Sequence, residues 1–168
     1  MTMAPPDTLV VGVGNEYMGD DGAGCMVVNA LSELNLHHLE VLDCGTDLFQ
    51  LASVNRRYQT IVIVDSIAAG EPPGRIHWFA PRHAVSFSMS GSVHQLSILE
   101  VLQLLPLMTD LLEGVEFYII GIEPGILEFQ EPLSSEVAAA VTRLVDTLKT
   151  EPGVESVLQW CREHRVIS

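Results

Sequence analysis

The chain has 168 residues, the ordinary length of one domain, and we expect a single domain over 1–168 with a core over about 8–150 and a tail over 151–168. Eight lysine and arginine residues against 22 aspartate and glutamate residues give a net charge of −14, which excludes the basic surface that nucleic acids and anionic membranes require. Hydrophobic residues make up 48% of the chain, too many for an acidic disordered protein, so we expect it to fold.

The sequence also predicts the compartment. No lysine or arginine precedes the first hydrophobic stretch, so a secretory signal is not expected, and the apolar segments are interrupted before the roughly 20 residues that cross a bilayer. Cys25, Cys44 and Cys161 lie outside any C-x-x-C spacing, which argues against disulfides and a structural zinc site. We therefore expect a cytoplasmic protein, and we take a monomer as the default.

Strands and helices alternate along the chain. Apolar runs rich in β-branched residues predict strands at Thr8–Val13, Leu39–Leu42, Thr60–Val64, Arg75–Phe79 and Val115–Ile122. Apolar residues three and four positions apart predict helices at Ala23–Leu34, Thr46–Val54, Val93–Leu105 and Glu136–Leu148. The tail after Pro152 and Gly153 either adds one helix or frays. The alternation predicts an α/β fold with a mostly parallel sheet of about five strands and helices on both faces.

Carboxylates follow each of the first three predicted strands. Asp20 and Asp21 come after the first strand, Asp43 after the second and Asp65 after the third. Because ligands of such folds bind beyond the carboxyl ends of the strands, we expect these acids to line one crevice. For Asp65 the alternative is a turn residue whose carboxylate bonds its own backbone.

The glycine-rich turn GVGNEYMGDDG invites a dinucleotide interpretation, with Asp43 on a ribose hydroxyl. Tyr17 stands where the third glycine of that motif belongs, however, and Asp20 and Asp21 at the start of the next helix repel phosphate and attract a cation. The structural alternative is that Asp20 caps the helix and Asp21 favours its positive end. Helix capping would explain one of these two acids, but it does not explain two acids in the same loop as a third, Glu16.

His94 is the candidate imidazole. Ser92-Val93-His94-Gln95 has the form of a capping box, which would place His94 in the first turn of a helix. There the helix dipole disfavours the imidazolium, and the neutral imidazole is the form that binds metal. Together Asp21, Asp65 and His94 suit a divalent transition ion such as nickel, zinc or iron, although a lone histidine is more often a hydrogen-bonded, partly buried side chain. No cysteine has a neighbouring histidine, so a cysteine nucleophile is not expected.

Four segments together resemble the hydrogenase maturation endopeptidases: the loop GVGNEYMGDDGAG, the strand end VIVDS, the segment VHQLSILEVL and the strand and turn IIGIEPG. They occur in the family's order within residues 8–150. The resemblance implies a three-layer α/β/α sandwich that removes the C-terminal extension of a nickel-iron hydrogenase large-subunit precursor after nickel insertion. It places the family's metal-binding acids at Asp21 and Asp65 and its histidine at His94.

The resemblance also implies that the enzyme recognises nickel already held by the precursor. The family's D-G-G-T motif is Asp43-Cys44-Gly45-Thr46 here, which keeps the acid and leaves the local backbone shape open. Nickel would polarise the scissile carbonyl or a water, with Asp43, Asp21 or Asp65 as catalytic proton acceptor, and the sequence does not rank the three. Two alternatives stay open: a noncatalytic nickel-binding hydrogenase assembly chaperone, and a nucleotide-binding α/β protein.

Overall fold

A computed structural model describes residues 6–79 and 97–163. Within these ranges five strands form one sheet: β1 (Thr8–Gly12), β2 (Glu40–Asp43), β3 (Thr60–Ser66), β4 (Ile76–Phe79) and β5 (Glu116–Ile122). The strand order is β2-β1-β3-β5-β4, with β4 antiparallel to β5 and the other neighbours parallel. The predicted mostly parallel sheet is confirmed.

Helices cover both faces of the sheet. The α-helices are α1 (Ala23–Ser32), α2 (Ile98–Leu104), α3 (Ser135–Leu148) and α4 (Glu151–Glu163). Short 3-10 helices span Gly19–Gly22, Leu48–Ser53, Leu105–Leu107 and Asp110–Leu112. One face packs against α1, α3 and α4, and the other against α2 and the 3-10 helices that precede and follow it. The three-layer α/β/α sandwich is therefore confirmed.

Strand β3 lies at the centre of the sheet, which explains its unbroken apolar sequence. Val62 and Val64 face the layer of α1 and α3, whereas Ile61 and Ile63 face the opposite layer, and all four are 0% exposed. Each such side chain contributes roughly 1.5–3 kcal/mol of burial free energy. Because both faces are covered, the strand has no polar position between Thr60 at its start and Asp65 at its carboxyl end.

Helix α2 begins at Ile98 instead of the predicted Val93. Ser97 is its N-cap: its side chain accepts the Glu100 N–H (3.3 Å), and its own N–H donates to Glu100 Oε2 (2.7 Å). This second capping box has a charged acceptor, which satisfies the N-cap amide more strongly than the glutamine of the predicted box. Residues 80–96, with the predicted long loop and His94, lie outside the described residues.

The tail forms a packed helix, one of the two outcomes that the sequence left open. Pro152 and Gly153 lie in the first turn of α4, where proline costs no hydrogen bond. Val154, Val157 and Leu158 are buried in the same core as α3. Across the described part of the chain, no helix has the length and apolar character needed to span a membrane.

Candidate functional site

Backbone hydrogen bonds bring the loops after β1, β2 and β3 together at one edge of the sheet. The Val13 N–H donates to the Val64 carbonyl (2.9 Å), and the Cys44 N–H donates to the Gly12 carbonyl (2.9 Å). The Gly14 N–H then donates to the carbonyl of Gly45 (2.8 Å), beyond the strands. The acids that follow these strands are thereby held on one rigid framework, as the sequence predicts.

Close backbone approach explains the glycines of the first turn without a nucleotide. Gly14 has φ of 140°, and a Cβ there would lie 1.9 Å from the Asp21 carbonyl oxygen. A Cβ on Gly24 would lie 2.2 Å from the Val64 carbonyl oxygen. These glycines let the turn and α1 pack directly against the strand ends. Asp21, which lies in that turn, is thereby held close to the carboxyl ends of the strands.

Asp65 is a buried carboxyl group at the end of the central strand. Its residue is 8% exposed, and its Oδ1 accepts the Ser66 N–H (2.7 Å). Burial raises the pKa of Asp65 to about 8, and the nearby charge of Asp21 raises it further against the Ser66 hydrogen bond. The local bond that the sequence allowed is present, and the same carboxyl also faces a second acid.

Asp21 lies in the 3-10 turn that leads into α1. It is partly buried, and its Oδ2 accepts the N–H of Asn15 (3.0 Å). Burial raises the pKa of Asp21, although the Asn15 hydrogen bond opposes the shift. Two neighbouring carboxyl groups that both resist ionisation favour a bound proton or a cation between them.

Asp43 and Glu16 complete the group of acids around one thiol. Asp43 is exposed at the end of β2, and its Oδ1 accepts the Gly45 N–H (2.9 Å). Burial raises the pKa of the Cys25 thiol, and so do a hydrogen bond with Asp43 and the charges of Asp43, Glu16 and Asp65. We call the group formed by Glu16, Asp21, Asp43 and Asp65 the acid crevice.

Neither of the described thiols has the electrostatics of a nucleophile. Cys25 donates to the Gly14 carbonyl (3.5 Å) from a buried position, and its acidic neighbours oppose a thiolate. Cys44 is 0% exposed, and burial with the charges of Asp43 and Asp47 raises its pKa to about 12. Gly45, with φ of 51°, supplies the left-handed residue of this turn, so the replacement of the preceding glycine by Cys44 is accommodated.

We therefore expect a variant with Cys25, Cys44 and Cys161 all replaced by alanine to keep the cleavage activity that the family resemblance implies. The rate should stay within about fivefold of the parent, while stability falls by roughly 1–3 kcal/mol through lost core volume. Thermal unfolding and the rate of precursor shortening measure the two effects. A variant that stays folded but no longer cleaves would establish a cysteine mechanism.

Asp20 does not belong to the acid crevice. Gly125 N–H and Ile126 N–H donate to its Oδ2 (2.7 Å each), and Ser134 donates to Oδ1 from its N–H (2.6 Å) and to Oδ2 from its hydroxyl (2.8 Å). The alternative in which Asp20 caps the helix is wrong, because α1 has Gly22 as N-cap without a side-chain cap bond. Burial alone would raise the pKa of Asp20, but these hydrogen bonds outweigh it and lower the pKa. Asp20 therefore clamps the loop after β5 to the loop after β1.

Glu123 is a third buried acid, after Asp20 and Asp65, and the sequence analysis missed it. It is 3% exposed and directly follows β5. Its carboxylate accepts the N–H groups of Ala69 (2.9 Å) and Gly70 (3.0 Å) and lies 3.2 Å from His77 Nε2 on β4. It fixes the chain just beyond Asp65. Its only sequence signal is its place after a buried strand, the same signal that identified Asp65.

The predicted metal-binding group is only partly covered by the structure. Asp21 is close enough to Asp65 for its charge to act on that carboxyl, whereas His94 lies outside the described residues. In the described part of the chain, no three histidine, cysteine, aspartate or glutamate side chains are grouped so that they could hold an ion. The convergence of Asp21, Asp65 and His94 thus stays a prediction.

Comparisons with known proteins identify the family of this chain. The hydrogenase maturation protease family model, HycI, matches residues 25–151. The Hydrogenase 2 maturation protease of Escherichia coli is 28% identical over 162 residues, which cover 94% of this chain and 92% of that protein.

Solved structures share the fold. The NiFe hydrogenase maturation protease HybD from Thermococcus kodakarensis aligns with a TM-score of 0.72 at 31% identity, covering 84% of this chain and 96% of that one. The hydrogenase maturating endopeptidase HybD from E. coli aligns with a TM-score of 0.63 at 27% identity, covering 93% and 92%. The chain therefore belongs to the hydrogenase maturation protease family, and it is an endopeptidase.

Proposed function

We propose that this endopeptidase removes the C-terminal extension of a nickel-iron hydrogenase large-subunit precursor after nickel has been inserted into that precursor. The observation that supports the proposal is the acid crevice: the charge of Asp21 acts on Asp65, and Asp43 and Asp65 both act on Cys25, in a chain of this family. The carboxyl edge of the sheet is where α/β folds bind their substrates.

Nickel enters this proposal as part of the substrate. Asp21 and Asp65 offer carboxylate oxygens, and His94 would offer an imidazole nitrogen, a donor set that suits borderline divalent ions. An ion already held by the precursor's own ligands would gain these contacts at little ordering cost. The Ser66 and Asn15 N–H groups fix the orientation of Asp65 and Asp21 beforehand.

The acids differ in the proton chemistry open to them. Asp65 retains its proton near neutral pH, because its pKa is about 8, and it would release this proton when a cation takes its place. Asp43 is the exposed member of the three predicted catalytic acids, and Gly45 N–H holds its Oδ1. We assign to Asp43 the acceptance of the proton from the attacking water, leaving Asp21 and Asp65 to contact the nickel.

The proposal is tested by incubating the purified chain with nickel-loaded and with nickel-free precursor and weighing the products by mass spectrometry. Shortening is expected with the nickel-loaded precursor alone, at a rate at least about a thousandfold above the nickel-free control. Denatured casein in excess nickel should stay intact. Equal cleavage of both precursors would overturn nickel recognition, and binding without shortening would establish the chaperone function.

We further propose that the chain works in the cytoplasm as a monomer. Cys25 and Cys44 are free thiols, as expected in a reducing compartment. Light scattering that gives the mass of two or more chains would overturn the monomer.

A further inference from the structure

An apolar surface lies beside the acid crevice. Tyr17 is 70% exposed and Phe129 is 67% exposed, and they are joined by Ile126 at 39% and Leu127 at 42%. We call these four residues the apolar rim. A group of large apolar side chains that are exposed to this extent indicates an interaction surface on a soluble protein.

Main-chain hydrogen bonds join the two loops that carry the apolar rim. The Gln130 N–H donates to the Tyr17 carbonyl (2.8 Å). Phe129 precedes Gln130, so its backbone lies close to that of Tyr17. The Asp20 N–H donates to the Ile126 carbonyl (2.7 Å), while the Asp20 carboxylate accepts from the Ile126 N–H (2.7 Å). The apolar rim is therefore preformed, so a ligand that binds it pays little to order it.

The same loop continues directly into the acid crevice. In the sequence, Tyr17 lies between Asn15 and Asp21, and the Asn15 N–H donates to the Asp21 carboxylate. The residue before Tyr17, Glu16, belongs to the acid crevice. The Asn15 side chain in turn accepts the Tyr17 N–H (3.0 Å). A segment bound across the acids therefore lies close to the loop that carries Tyr17.

We propose that the apolar rim docks an apolar segment of the precursor next to the scissile bond and so selects the substrate. This inference rests on the proposed function. The chain carries a net charge of −14 and concentrates acids at the site, so an acidic segment would be repelled. The four exposed side chains of the apolar rim carry no charge, so the residues that contact them are expected to be apolar. Aromatic residues at the centre of a contact typically supply most of its affinity, which assigns the main contribution to Tyr17 and Phe129.

The test compares a Tyr17→Ala/Phe129→Ala double variant with the parent on nickel-loaded precursor. We expect KM to rise about tenfold or more and kcat to stay within about twofold, because these side chains contact substrate away from the reacting atoms. Leu107→Ala is the matched control: Leu107 is 83% exposed, but it lies near the opposite edge of the sheet and should change neither constant. Unchanged KM in the double variant would overturn the docking site while the protease function stands.

A binding measurement distinguishes failure of this inference from failure of the proposed function. If the parent chain does not shorten the precursor, the proposed function fails, and biolayer interferometry on immobilised nickel-loaded precursor still tests the rim. At least about tenfold weaker binding by the double variant than by Leu107→Ala would support docking. Equal binding by the two variants, or no binding by the parent, would refute it.

Discussion

Replacing Asp65 with asparagine is expected to abolish precursor processing while making the folded chain more stable at neutral and alkaline pH. Loss of the carboxylate removes a proposed nickel contact and should lower the cleavage rate by about a thousandfold or more. The amide nearly matches the carboxyl in shape, and its oxygen can still accept the Ser66 N–H. Asp110→Asn, at an exposed acid near the opposite edge of the sheet, is the control and should cleave at the parental rate.

The gain in stability follows from the pKa of Asp65. Its folded-state value of about 8 lies above the roughly 4 of an unfolded aspartate, so the folded chain holds a proton that the unfolded chain releases first. The free energy of unfolding of the parent should therefore fall as pH rises from about 4 to about 8, and the asparagine variant should lack this decline. Urea titrations at about pH 5, 7 and 9 should show the variant gaining roughly 3 kcal/mol over the parent at the highest pH. Parallel stability curves would contradict the buried position of Asp65.

Asp20 and Asp21 are adjacent acids, and their replacement by alanine should have opposite consequences. Asp20→Ala leaves the N–H groups of Gly125, Ile126 and Ser134 without their acceptor, which should cost on the order of 3–5 kcal/mol of stability. Asp21→Ala loses one hydrogen bond, from the Asn15 N–H, and should change stability by no more than about 1 kcal/mol. It should lower the cleavage rate by about a hundredfold or more.

Thermal unfolding of the two variants, with cleavage rates measured well below both transitions, distinguishes these roles. Asp20→Asn serves as a graded control, because its amide oxygen keeps part of the acceptor set and should retain part of the stability. A stable Asp20→Ala chain would show that the loop after β5 does not depend on this clamp. Parental cleavage by Asp21→Ala would remove Asp21 from the site.

Strand ends were the informative feature of the sequence. Asp65 follows an apolar run that only a central, doubly covered strand tolerates, and Asp43 ends a shorter strand beside β1. Parallel pairing then brings both acids to one edge, so the fold class and the crevice acids could be derived from local patterns. The family resemblance added the identity of the substrate, which local patterns do not specify.

Long-range hydrogen bonds were the part that the sequence could not supply. Asp20 binds residues more than a hundred positions away, and a local pattern cannot distinguish this from an N-cap. The start of α2 was misplaced because two serines, at positions 92 and 97, each precede a glutamine or glutamate at the capping-box spacing. Ser97 is the cap of α2, whose residues Ile98 and Val101 face the core, while Ser92 lies outside the described residues.

The position of β3 has a consequence for hydrogen exchange and for how the enzyme adapts to its substrate. Its amides are paired with β1 on one side and β5 on the other, so they should exchange with solvent only when the whole chain unfolds. Asp65 is thereby attached to the segment that we expect to exchange most slowly, and its backbone position should stay fixed when substrate binds. Any adjustment to a large folded substrate must occur in the surrounding loops, which makes amide exchange in residues 124–134 the place to look for slowing when the precursor binds.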